Sequence, residues 1–190
     1  MDWSGFWIEH AGERRDAQTF GEAFLPELLR VVETHAPDAR SFLEWGTGLS
    51  TLLFARIAAE RGGSVTTIDH EEPYVRSVMS RLGPGAPVRS IIADLTGPKL
   101  SQEDPGLNYS TTPLGLEKTF DFFLIDGRRR MECALTAAAL SQPSTVVVLH
   151  DYRRGRYQTV KVLFEVIEDG PQFRVMRPRP ELLKRARSGA

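Results

Sequence analysis

The chain has 190 residues, enough for one domain with a full core, and its 41% hydrophobic and 26% charged content is ordinary for a soluble globular protein. A net charge of −1 excludes a global field that would draw it to nucleic acid or to an anionic membrane. The single Cys133 excludes an intramolecular disulfide, no apolar run reaches membrane-span length, and the N-terminus lacks a signal-peptide pattern, so a cytoplasmic protein is expected.

Residues 1–18 are polar with scattered Trp3, Phe6 and Trp7, and read either as an arm over the domain or as a partner-binding segment. Apolar residues recur at helical spacing from Thr19 to about His35, and Pro26 places the main helix start near Leu25. Residues 1–35 are thus an N-terminal arm and helix within a single domain spanning 1–190. Beyond them strands are expected at about 41–45, 64–69, 87–93, 120–125 and 144–150. Helices are expected at about 49–61, 72–82, 129–141 and 156–169. Short apolar strands alternating with amphipathic helices imply an α/β fold: a Rossmann-like, mostly parallel sheet with helices on both faces. Residues 95–119 hold prolines and glycines without a helical period and read as a lid or substrate loop. Only Gln172–Arg177 looks like a further strand, so the C-terminal hairpin is expected to be shortened, ahead of a basic tail at 178–190.

The segment Ser41-Phe42-Leu43-Glu44-Trp45 runs into Gly46-Thr47-Gly48 and then Leu49-Ser50-Thr51. That order is a buried strand, an acid near its tip, a glycine turn and the start of a helix. Gly46 and Gly48 are expected to take positive φ and admit a ligand close to the backbone. The helix start aims unpaired N–H groups over the turn. Glu44 repels a pyrophosphate but accepts hydrogen bonds from an amino acid's ammonium group. Thr51 stands where a dinucleotide fingerprint wants glycine or alanine. Asp69, roughly 20 residues beyond the glycines at the second strand end, is placed to chelate ribose hydroxyls. These features favour S-adenosylmethionine over a dinucleotide. Thr47, Ser50 and His70 join the candidate cofactor contacts, and Asp94 at the third strand end is a candidate acceptor for an adenine amine.

The fourth strand runs into Asp126-Gly127-Arg128-Arg129-Arg130 and the fifth into His150-Asp151-Tyr152-Arg153-Arg154. Two strand ends that both carry an acid followed by arginines should meet at one cleft. Arg128, Arg130, Arg154 and Arg156 are candidates to face it, where one or two of them would favour a carboxylate or phosphate on the substrate. Tyr152 is a further substrate candidate. Tyr109 and Tyr157 either wall the pocket or simply pack, and Cys133 reads as a buried, inert thiol.

From Ser41 to about Asp169 the chain resembles class I S-adenosylmethionine-dependent methyltransferases. The segments Ile125-Asp126-Gly127-Arg128-Arg129-Arg130 and Leu149-His150-Asp151-Tyr152 look most like bacterial methyltransferase-like proteins of the catechol O-methyltransferase type. The resemblance implies that Glu44, Gly46, Gly48 and Asp69 bind the cofactor and that Asp126 and Asp151 stand near the transferred methyl group. Metal-dependent members carry an acid followed by an Asn or a second acid at the fifth strand end, whereas here His150 and Tyr152 flank Asp151. A divalent metal is therefore not expected, and any that binds would use Asp126 and Asp151.

The leading expectation is a methyltransferase acting on a small anionic or hydroxylated acceptor. His150 is the candidate base, because an ordinary imidazole titrates near pH ~6.5. Asp126 is the alternative, as base or as the group orienting a substrate hydroxyl. The rival readings are a nucleoside-binding regulatory module or pseudoenzyme without turnover, and a nicotinamide-dependent oxidoreductase. No nucleic-acid or membrane partner is expected. The aromatic arm and basic tail are candidate contacts of a homodimer.

Overall fold

In the computed structural model, residues 24–99, 106–116 and 118–181 are described. The arm, the last nine residues and residues 100–105 lie outside them, and with those the expectations of a dimer contact at the arm or at the tail's end. Helix α1 (Phe24–His35) precedes β1 (Ser41–Trp45), α2 (Leu49–Arg61), β2 (Ser64–Asp69), α3 (Glu72–Met79) and β3 (Val88–Ile92). A short helix α4 (Asn108–Thr111) and a 3-10 turn over Thr112–Gly115 lead into β4 (Phe122–Ile125), α5 (Arg130–Leu140) and β5 (Val146–His150). A 3-10 segment over Gly155–Val162 then joins β5 to the hairpin of β6 (Phe164–Asp169) and β7 (Phe173–Pro178).

The seven strands form one sheet in the order β3-β2-β1-β4-β5-β7-β6. Strands β1 to β5 are parallel, and β7 runs antiparallel to both β5 and β6. The chain reverses its direction across the sheet between β1 and β4, so their carboxyl ends open the crevice where α/β sheets bind ligands.

Because successive strand residues point to opposite faces, the sheet feeds two cores. Phe42, Phe122, Leu124, Val146 and Val148 pack under α1 and α2. Leu43, Phe123, Ile125, Val147 and Leu149 pack on the other face against α5 and the 3-10 segment. Burial on both faces explains why β4 and most of β5 read as unbroken apolar runs.

Three expectations change. The helix expected over 156–169 is a 3-10 segment followed by strand β6, so the closing hairpin is complete, with two six-residue strands. Phe164-Glu165-Val166 alternates with the period of an edge strand: Phe164 is buried and Glu165 exposed. Within the 95–119 segment, residues 106–113 pack against the domain, with Tyr109 fully buried and its carbonyl accepting from Trp45 Nε1 at 3.1 Å. The segment's described residues do not line the main cleft. Among the described residues, no helix is long and apolar enough to cross a membrane.

Candidate active site

The cleft lies over the ends of β1, β2, β4 and β5. On one side the turn after β1 forms its floor. Gly46 has φ 104°, and a Cβ there would stand 2.9 Å from Gly127 N, so both conformation and space demand glycine. Gly127 is constrained in turn, since a Cβ would reach 1.8 Å from the Tyr109 hydroxyl. Gly48 departs from expectation: its φ of −178° is extended backbone open to any residue. The ligand-facing freedom of this turn is concentrated at Gly46.

Two carboxylates hold the turn from beneath and beside. Glu44 is fully buried; Ser50 Oγ donates to its Oε2 at 2.7 Å, and Thr51 Oγ1 donates to Oε1. The same Thr51 oxygen accepts from Gly48 N at 2.9 Å. Burial pushes the Glu44 carboxyl up to about 7, against the opposing pull of the Thr51 and Ser50 hydroxyls. Neither Glu44 nor Ser50 lines the cleft, which corrects the expectation that Glu44 meets an ammonium group and Ser50 a cofactor. The reason is geometric: Glu44 sits within β1, one residue short of the strand end, and points into the start of α2. Thr51 is the bulky residue that this acid requires.

Asp69, at the end of β2, accepts from Thr47 N at 2.9 Å on Oδ2. Its Oδ1 accepts from the backbone N–H of His70 and Glu71 at 2.7 and 3.1 Å. Asp69, His70 and Thr47 all line the cleft, but most of the Asp69 acceptor capacity is spent on the turn. Glu71 and Tyr74 line it too and were missed from sequence. The signal for Glu71 was the run Asp69-His70-Glu71-Glu72, which presents several carboxylates just past a strand end. Asp94 is exposed and bound to the Thr96 hydroxyl at 2.7 Å and Asn108 Nδ2 at 3.1 Å. Those bonds hold its carboxyl below the usual range, and they keep it off the cleft, contrary to the adenine expectation.

On the other side, the ends of β4 and β5 converge as expected. Asp126 Oδ1 stands 2.5 Å from His150 Nδ1 and 3.0 Å from Arg130 Nη2. The first contact has the distance of an ion pair without the alignment of a good hydrogen bond. Phe24 packs edge-on against the His150 ring at 5.3 Å. Arg130 is the hub. Its Nε donates to Gly127 O at 3.0 Å, Nη1 to His150 O at 2.8 Å and Nη2 to Asp126 O at 2.7 Å. Nη1 also lies 3.2 Å from Asp151 Oδ2. With its N–H donors engaged within the chain, Arg130 is a clamp between strand ends, which corrects its assignment to substrate.

Two non-glycine residues among those described have positive φ: Arg129 at 48°, just before the clamp, and Asp151 at 57°, just after β5. Strained backbone beside functional groups is a familiar association, and here it turns both acids toward Arg130. Arg154 pairs with Asp151 at 2.7 Å and lines the mouth. Arg128 is exposed at the mouth, and no hydrogen bond or ion pair joins its guanidinium to another described residue. Tyr152 leaves the cleft: it is buried, its hydroxyl donates to Gly170 O at 3.2 Å, and Arg174 lies over its ring at 4.4 Å. Tyr109, Tyr157 and Cys133 are core residues, with burial pushing the Tyr109 hydroxyl and Cys133 thiol well up.

Among the described residues no group of three or more His, Cys, Asp or Glu is arranged to hold a metal ion. The carboxylates of Asp126 and Asp151 instead flank the Arg130 guanidinium. The acid pair as arranged does not fit a divalent ion.

A family model for a methyltransferase domain matches residues 43–152. Comparison with curated proteins gives no match. Among solved structures, a methyltransferase-like protein from Silicibacter pomeroyi is 23% identical with a TM-score of 0.66, covering 88% of this chain and 93% of that one. A Podospora anserina methyltransferase bound to S-adenosylhomocysteine is 14% identical with a TM-score of 0.65, covering 92% and 86%. MycE, from the mycinamycin biosynthetic pathway and in complex with Mg and S-adenosylhomocysteine, is 12% identical with a TM-score of 0.58, covering 94% of this chain and 49% of that one. These likenesses carry the fold, and the family model spans the turn, all five parallel strand ends and the Asp126–Asp151 cluster. The chain belongs to the methyltransferase-domain family of the class I S-adenosylmethionine-dependent superfamily.

Proposed function

We propose that the protein transfers a methyl group from S-adenosylmethionine to a small acceptor that is hydroxylated, anionic or both. One observation carries the reading: a glycine cradle and an acid–imidazole pair face each other across a single cleft. The cofactor would be held by the Gly46–Gly48 backbone and by Asp69, with Glu71 sharing the ribose hydroxyls. Glu71 suits that role because its side chain is 44% exposed and, among the described residues, meets only His70 Nε2, at 3.4 Å. The cofactor supplies an electrophilic methyl group, and the chain supplies everything else.

A hydroxyl acceptor must be aligned and must lose its proton. His150 lines the cleft 2.5 Å from Asp126 and is the residue to take that proton, with Asp126 placed to align the acceptor hydroxyl. Arg128 at the mouth offers its planar fork to a carboxylate or phosphate on the acceptor. Arg154 stands beside it on Asp151 and adds positive charge to the same rim.

The test has two stages. Calorimetric titration of the clean protein with S-adenosylhomocysteine should show one site. Release of S-adenosylhomocysteine from S-adenosylmethionine is then followed across hydroxy acids, phenols and sugars, with turnover expected for an acceptor in this set. Absence of binding overturns the reading, and binding without transfer to any acceptor turns it toward a nucleoside-sensing module.

A further inference from the structure

We propose that Arg130 is a built-in cation that holds the place of a divalent metal between Asp126 and Asp151, and so acts as a positioning residue for the acid–imidazole pair. The inference concerns the site of the proposed methyl transfer. Its metal-binding arm stands independently of that reading, and only its activity arm rests on it.

Two carboxylates from adjacent strand ends bring two negative charges to one crevice. Like charges at close range repel each other unless a cation lies between them. The guanidinium meets that need: Nη2 is 3.0 Å from Asp126 Oδ1 and Nη1 is 3.2 Å from Asp151 Oδ2. A magnesium ion would demand oxygen ligands at about 2.0–2.1 Å in octahedral geometry. It cannot reach both carboxylates while the guanidinium remains.

Displacing the guanidinium is costly. It would strip partners from the carbonyls of Gly127, His150 and Asp126, all bound to Arg130 at 2.7–3.0 Å. The side chain is only 12% exposed, so water would replace those bonds poorly. Asp151 Oδ2 is also held by Arg154 at 2.7 Å, which adds a second positive charge against an incoming metal. An arginine stays charged at any working pH, so this cation cannot be lost to chelators or acid. It fixes the Asp126 carboxylate beside His150 Nδ1, through which it acts on the proton transfer.

The decisive measurement is binding of Mn2+ alone, read by calorimetry or by the electron spin resonance of the free ion. Wild type should take up no stoichiometric Mn2+. Arg130→Met should take up one, and Arg130→Met with Asp126→Asn should lose it again. Stoichiometric Mn2+ in wild type, abolished by Asp126→Asn, overturns the proposal. A folded Arg130→Met that binds no Mn2+ overturns it too. If Arg130→Met does not fold, the wild-type titration decides alone.

In the activity arm, wild-type turnover should be indifferent to a chelator. Arg130→Met should lose about 10- to 100-fold in kcat, the range for residues that orient a working group, with the cofactor Kd unmoved. Added Mn2+ should restore part of that loss, which a merely structural clamp would not allow. Wild-type turnover abolished by a chelator and restored by Mn2+ counts against the proposal. Turnover absent in all forms bears on the methyltransferase reading and leaves the Mn2+ result standing.

Discussion

The two halves of the cleft are built from the same residue types by opposite means. At the ends of β1 and β2, the acids Glu44 and Asp69 are buried or nearly so, and their partners are hydroxyls, backbone N–H groups and, for Asp69, the His70 imidazole at 3.0 Å, with no arginine among them. At the ends of β4 and β5, Asp126 and Asp151 are more exposed, and their partners are arginines and an imidazole. Neutral donors spend acids on shape, fixing a turn. Arginines gather acids into a charged cluster at a surface that a ligand can reach. The contrast separates a cofactor floor, which must hold still, from a chemical wall.

The hardest test of that separation is Asp126→Asn, which should leave cofactor affinity unchanged. It should lower methyl transfer by about 10²–10⁴-fold, the usual contribution of a positioned acid–base group. Calorimetry with S-adenosylhomocysteine and single-turnover transfer would check the two halves separately. A comparable loss of cofactor binding would merge the wall with the floor.

Gly46→Ala should do the reverse. Left-handed backbone costs a residue with a Cβ about 1–2 kcal/mol, and crowding Gly127 N adds about 1–3 kcal/mol of overpacking. The melting temperature should fall by several degrees and cofactor binding should fail. Thermal melts beside a titration with S-adenosylhomocysteine give the measurement. A variant that binds normally would show that the ligand does not approach this backbone.

The floor was more legible in the sequence than the wall. A strand, an acid, a glycine turn and a helix are consecutive residues, so their order alone places Gly46, and the end of the next strand places Asp69. Glu44 and Ser50 were misplaced because one residue of strand register decides whether an acid meets the ligand or the helix start. The meeting of Asp126 with His150 and Asp151 followed from parallel strand ends. The role of Arg130 did not, because it depends on Arg129 and Asp151 adopting positive φ, which their residue types do not announce. In the fold, unbroken apolar runs mark β4 and β5. The β6 edge strand, with only one well-buried residue at its start, carried too weak a period to be told from a helix.

Glu44→Gln sharpens the comparison through pH. The Glu44 carboxyl ionises at about 7 in the fold against an ordinary 4.5, so the folded chain holds this proton more tightly than the unfolded chain. The stabilisation is therefore full below pH 4.5 and is lost as pH rises through 7. The span corresponds to no more than about 3 kcal/mol. Glutamine has no such proton, so denaturant midpoints of wild type should decline over this window relative to Glu44→Gln. Parallel curves would mean that the buried acid is ionised throughout, and that the floor is charged like the wall.

The smallest effect marks where the wall stops. Tyr152 follows Asp151 directly in sequence, yet its hydroxyl is turned away to Gly170 O and its ring lies under Arg174. Tyr152→Phe removes the bond to Gly170 O and the longer one accepted from the exposed Arg153, and keeps the ring, so stability should drop by only about 1 kcal/mol. The KM for any accepted substrate should not move, because the side chain does not line the cleft. A raised KM with unchanged stability would bring Tyr152 into substrate contact and extend the charged wall past β5 toward the hairpin. The positive φ of Asp151 argues against that outcome, since it is the bend that sends the acid toward the cleft and the next side chain behind it.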